Sequence, residues 1–209
     1  MKKTSFLTIG LLVISIGLLN AQTNQGKLIV SLSSDIFGLG YTTSKTKSDT
    51  DGSEEASKSF NVNLSPKIGY FLIDNLAIGL DLGVGLQTGK TGTDNDKFTL
   101  ISMGAGPFVR YYIPTSKILP FFELDGSYTY STYSWMNTNS GDSKTNIGTL
   151  NYGGGIGLAA PLGERVMADI LAGYHSFTYK DRENNVDNER TVMGTLGLSI
   201  GFTLFLGAN

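Results

Sequence analysis

The chain has no cysteine, a single histidine and a single tryptophan, and only 16% of its 209 residues are charged. Without cysteine there is no disulfide framework, no thiolate metal site and no residue for lipid attachment behind a secretion signal. A soluble domain of ordinary composition carries about a quarter of charged residues, so this surface is not mainly a water-facing lattice of charges. Long apolar runs are lacking too: the one from Phe6 to Leu19 is about fourteen residues where a spanning helix needs roughly twenty, which leaves a membrane anchor there as the lesser alternative to a cleaved signal. Beyond Gln22 no helical period persists. Removal of Lys2 and Lys3 would take the formal charge from −2 to −4, a mild acidity that argues against a nucleic-acid partner.

Lys2 and Lys3 ahead of that run, with Ala21 behind it, have the layout of a secretory signal peptide. The expectation is cleavage between Ala21 and Gln22, with residues 1–21 as signal and 22–209 as one barrel domain. Glycine is abundant, 27 residues in the whole chain, and beyond Gln22 the apolar residues recur at every second position. Phe60, Val62, Leu64, Pro66, Ile68, Tyr70 and Leu72 alternate with Asn61, Asn63, Ser65, Lys67 and Gly69. After the short Ile73-Asp74-Asn75 the pattern resumes with Leu76, Ile78, Leu80, Leu82, Val84 and Leu86. Such a pair reads as a β-hairpin. The same alternation predicts strands over 27–40, 98–113, 118–132, 149–160, 166–179 and 191–205, eight in all.

Long polar stretches near 41–58, 88–97, 133–148 and 180–190 take turns with short ones at 73–75, 114–117 and 161–165. This layout predicts an all-β, eight-stranded antiparallel up-and-down transmembrane barrel, with long extracellular loops, short periplasmic turns and both termini periplasmic. The composition of Thr42 to Ser59 and of Asn137 to Asn146 predicts mobile loops. A soluble barrel alternates as well, but its polar face would be rich in Lys and Glu. Here that face is mostly Gly, Ser, Thr, Ala and Asn, which suits the narrow lumen of eight strands. Tyr70, Tyr111, Tyr112 and Phe122 near the short turns, and Tyr128, Tyr130, Tyr133, Trp135, Tyr174 and Tyr179 near the long stretches, read as two interfacial girdles.

Gly106-Pro107-Phe108-Val109-Arg110-Tyr111-Tyr112, Pro120-Phe121-Phe122-Glu123 and the terminal Gly201-Phe202-Thr203-Leu204-Phe205 resemble the porin-like family of outer membrane protein β-barrel domains. The resemblance spans essentially all of the mature chain. It implies a bacterial outer-membrane location among lipid and lipopolysaccharide, and insertion by the barrel assembly machinery, which reads a final alternating strand with a terminal aromatic. Phe205 is followed here by Leu206 to Asn209, a departure from that pattern.

No catalytic, cofactor or metal site is expected. Lipid-deacylating barrels use a His-x-Ser pair on one strand face, whereas Ser176 follows His175 directly and points the other way. His175 reads as a lumen residue. Gly83-Val84-Gly85 and Gly155-Ile156-Gly157 lie in strands with no helix to bind phosphate, and read as lumen space. Asn63-Leu64-Ser65 matches a glycosylation sequon by chance, and Asp49, Asp51, Glu54 and Glu55, mixed with Lys45, Lys47 and Lys58, read as a solvated loop.

Counting outward from the short turns places Lys67 opposite Asp81 and Arg110 near Glu123, all on the polar face. Asp169 falls slightly nearer the periplasm and Asp125 one layer further up, so two cations meet four acids around a ring. Unpaired charge in a narrow space is costly, and the surplus acid implies trapped water or a shared proton. The alternative leaves these groups hydrated in an open pore, not touching. Three functions are compatible with this chain: a non-enzymatic envelope or surface-interaction barrel whose loops meet extracellular ligands, a narrow channel for small or apolar solutes, or a lipid-modifying enzyme. The first is the reading adopted.

Overall fold

A computed structural model describes residues 23–47, 54–91, 96–115, 118–137, 141–181 and 190–207. The expected signal peptide and its Ala21–Gln22 junction lie outside them, as do Asp49 and Asp51. Eight strands, β1 (Leu28–Lys47), β2 (Glu54–Ile73), β3 (Leu76–Thr91), β4 (Asp96–Tyr112), β5 (Leu119–Asn137), β6 (Gly141–Pro161), β7 (Val166–Asp181) and β8 (Thr191–Leu206), form a closed antiparallel barrel in sequence order.

The period-2 pattern decides the two faces. Leu82, Leu124 and Ile200 are 43%, 66% and 63% exposed on the outside, and their neighbours on the strand point inward. Among the described residues, the outward positions from Phe60 to Leu72, Leu76 to Thr88, Thr99 to Tyr111 and Val192 to Leu206 carry no charge. A barrel with so apolar a waist is a transmembrane barrel, because a charge at mid-bilayer costs about 2–4 kcal/mol.

The strands outrun the apolar pattern. They are 16 to 21 residues long, against about ten for a spanning strand. Thr42 pairs with Ser59 and Lys47 with Glu54, and Asn137 pairs with Gly141. Most of the stretches expected as mobile loops are therefore hydrogen-bonded hairpin. Their polarity marks contact with water rather than the end of the ladder, since backbone pairing is indifferent to which solvent the side chains meet.

The short connections are tied down. Ile73 pairs with Leu76, and Asn75 takes the left-handed φ of 68° that asparagine tolerates better than most residues. Thr23 donates to Asn75 Oδ1 at 2.6 Å, its carbonyl accepts from Asn75 N at 2.7 Å, and Gln25 N donates to Asp74 at 2.8 Å. The chain thus enters the barrel strapped to its first turn.

One junction differs from the other seven. Among the described residues β1 and β8 pair only from Leu28–Leu206 to Ser33–Gly201, while β8 stays paired with β7 up to Thr191. Above Ser34 the β1 strand bulges, advancing from Ser34 to Leu39 while β2 moves only from Leu64 to Val62. Ser34 bridges the start of this split: its hydroxyl accepts from Ile200 N at 3.2 Å and its carbonyl accepts from the Ser199 hydroxyl.

Candidate functional site: a stratified lumen

The inward side chains form three layers. The lowest, beside the short turns, is apolar: Ile29, Phe71, Ala77, Phe108, Tyr112, Leu119, Phe121, Ala159, Met167 and Phe205 are all 3% exposed or less. Phe71 stacks on Phe205 at 6.1 Å between centroids, and Tyr112 contacts Phe71, Phe121 and Phe205 at 6.0, 5.6 and 6.1 Å. Room for these rings comes from glycine on neighbouring strands; a Cβ at Gly157 would collide with the Phe121 ring.

This layer corrects the sequence reading at Tyr112. Tyr112 is inside the barrel, not in a girdle, and Phe205, 3% exposed, turns inward while Phe202 is 54% exposed on the outer face. The signal was present as a break in the alternation. Tyr111-Tyr112, Phe121-Phe122 and Leu204-Phe205 are apolar on both faces, which happens where the lumen as well as the wall is greasy.

The ionic layer lies directly above. Lys67 and Asp81 are register partners, as are Arg110 and Glu123. Lys67 Nζ is 3.1 Å from Asp81 and 2.5 Å from Glu123. Arg110 donates to Glu123 from Nε at 2.5 Å and to Asp169 from Nη1 at 2.8 Å. Glu123, 1% exposed, thereby bridges both cations. Thr203 donates to Asp169 at 2.5 Å, Ser65 donates to Asp81, and the Ser31 and Thr203 hydroxyls are 2.7 Å apart. The Arg110 guanidinium carbon also lies 4.4 Å from the centre of the Phe121 ring, so the ionic layer rests on the aromatic one.

Asp125 stands apart from this network. Its neighbour is His175, with Nδ1 3.5 Å from Oδ1. Both residues pair with Gly153 on the intervening strand, and a residue without a side chain lets them meet across β6. His175 lines the lumen and Ser176 does not.

Above these groups the lumen is a cavity of about 290 Å³, lined by hydroxyls and amides such as Ser102, Ser127, Thr129 and Asn151, with Phe177 and Tyr179 on one side. A Cβ at Gly83 would meet no atom within 4 Å, so that glycine does leave space. Gly155 serves differently, bringing backbones together: a Cβ there would strike the Ala172 carbonyl. Tyr179 lines this cavity. Tyr133 and Trp135 share the strand face of lumen-lining Ser131 and pack on Phe98 at 5.8 and 6.4 Å. These three aromatics, read as girdle residues from the sequence, belong to the inner face. Tyr70, Tyr111, Phe122, Tyr128, Tyr130 and Tyr174 are on the outer one.

No protein-family profile and no curated protein matches the sequence. Among solved structures, the outer membrane protein OprG from Pseudomonas aeruginosa is 13% identical with a TM-score of 0.50, over 88% of this chain and 98% of that one. A major outer membrane protein from Thermus thermophilus is also 13% identical, with a TM-score of 0.49, over 87% and 99% of the two chains. The chain has the fold of the small outer-membrane β-barrels.

Proposed function

We propose that this protein is an integral barrel of a bacterial outer membrane, non-enzymatic, which closes its lumen at the short-turn end and offers a polar cup and projecting hairpins at the cell surface. The observation that carries this reading is the pairing of an aromatic layer with a bridged ionic layer, two cations against three carboxylates, across the same end of the lumen. An ion crossing it would have to displace close-packed rings and break buried ion pairs, a cost of several kcal/mol. At the other end the strands continue as polar, paired hairpins well past the apolar waist, which suits a role in contact with extracellular ligands or neighbouring envelope components.

The histidine supports this reading over a hydrolase. His175 is engaged with Asp125, and the serine that follows it, Ser176, takes the other strand face, so these two do not form a nucleophile–base pair. The test is conductance in planar bilayers. Wild-type protein is expected to show no steady current, and the double variant Arg110→Ala with Phe121→Ala to leak, since it opens both layers. Steady wild-type current unchanged by that variant would overturn the closed lumen in favour of a channel.

A further inference from the structure

The outer face carries an arrangement that the lumen does not explain. Lys58, Lys90 and Lys97 sit on β2, β3 and β4, and the register sets them side by side: Lys58 pairs with Lys90, and Lys90 with Lys97. All three are exposed. Like charges directly opposite on neighbouring strands repel, with Cβ atoms only about 5 Å apart. Among the described residues none of the three makes an ion pair.

The rows beneath them give the lysines a setting. The next outward row is Phe60, Thr88 and Thr99, and the one after it is Val62, Leu86 and Ile101, again in direct register. From the waist upward, the same three strands thus present hydrocarbon, then a ring with two hydroxyls, then three ammonium groups. Met136, opposite Lys97 on β5, is 56% exposed and adds no negative charge. This order matches a lipid standing beside the barrel, with acyl chains against the apolar row and an anionic headgroup at the lysines.

We propose that Lys58, Lys90 and Lys97, with the Thr88 and Thr99 hydroxyls, form a binding site for the phosphorylated headgroup of an outer-leaflet lipid. Phosphate fits better than carboxylate because it carries more charge and more acceptor oxygens for three ammonium groups and two hydroxyls. The site rests on the membrane placement proposed above. It explains why evenly spaced lysines are tolerated in register: the bound anion screens their repulsion and replaces it with attraction.

The experiment uses the mature protein in nanodiscs of phosphatidylcholine doped with bisphosphorylated lipid A, with co-purified lipid counted by native mass spectrometry. The comparison is with Lys58→Gln/Lys90→Gln/Lys97→Gln, and with Lys144→Gln as an exposed lysine outside the row. A heat-modifiable band certifies that each variant is inserted; failure of the wild type to insert would count against the membrane reading itself, and only inserted protein is scored for lipid. Each lysine near an anionic surface is worth about fivefold in affinity, so the triple variant should lose lipid A retention roughly a hundredfold while Lys144→Gln changes little. Retention unchanged in the triple variant overturns the site. Competition by free inorganic phosphate at concentrations matching the lipid would also overturn it, showing a site for the soluble anion rather than for a headgroup set against apolar surface.

Discussion

The two ends of this barrel are built on different principles although they share every strand. Next to the short turns both strand faces are committed: the outside meets lipid, the inside is packed rings under a bridged ion network, and all eight junctions are hydrogen-bonded. Toward the long hairpins the inside is a hydroxyl-lined cavity, and among the described residues the β1–β8 ladder pairs no further than Ser33 and Gly201, with only the Ser34 contacts to Ser199 and Ile200 above it. The lower half is where removing one group leaves others stranded. The upper half has water as an alternative partner for nearly everything it contains.

This contrast should show most strongly in stability. Glu123→Ala strips a buried partner from both Lys67 and Arg110 and should cost about 3–5 kcal/mol. Ser131→Ala, which removes the 2.8 Å contact to Ser102 in the upper lumen, should cost about 1 kcal/mol. Denaturant titration of vesicle-inserted protein, followed by the heat-modifiable band, compares the two; equal losses would mean that the ends do not differ as described.

A somewhat smaller difference separates inside from outside at one level of β3. Leu82→Arg places a charge in hydrocarbon and should cost about 2–4 kcal/mol, whereas Gly83→Ser points into open lumen and should be close to neutral. The same titration reads both. The opposite ranking would mean that the barrel has been taken inside out.

A subtler contrast runs along a single strand. On β8 the amides of Leu196 and Leu198 lie beside the split and those of Phe202 and Leu204 lie beside the paired part of β1. Hydrogen exchange in detergent micelles should be faster at the first pair by about tenfold or more, because exchange follows local opening and the ladder there has one side only. Uniform protection along β8 would show the junction closed to its top.

Much of this architecture is legible in the chain because β-structure is local in two respects. Alternation assigns a face to each residue without any knowledge of its partners, so Leu82 and Gly83 can be told apart. Short turns transmit register a few residues outward, which is why Lys67 can be set opposite Asp81 and Arg110 near Glu123. The tyrosines mark where a coarser signal fails: distance from a strand end puts Tyr112 and Tyr133 in the girdles, while parity along the strand turns them inward. The hairpins beyond the waist look like loops in the sequence because their side chains are polar, yet polarity carries no information about whether the backbone is paired.

Strand count, the face each side chain takes and the nearest-neighbour pairs are set by the sequence alone, because each depends only on a period of two and on a turn nearby. It took the closed barrel to bring Lys67 on β2 to Glu123 on β5, Arg110 on β4 to Asp169 on β7, and Phe71 onto Phe205. Those partners come within reach when eight strands close around a narrow axis, and no interval along the chain encodes a distance measured across the barrel.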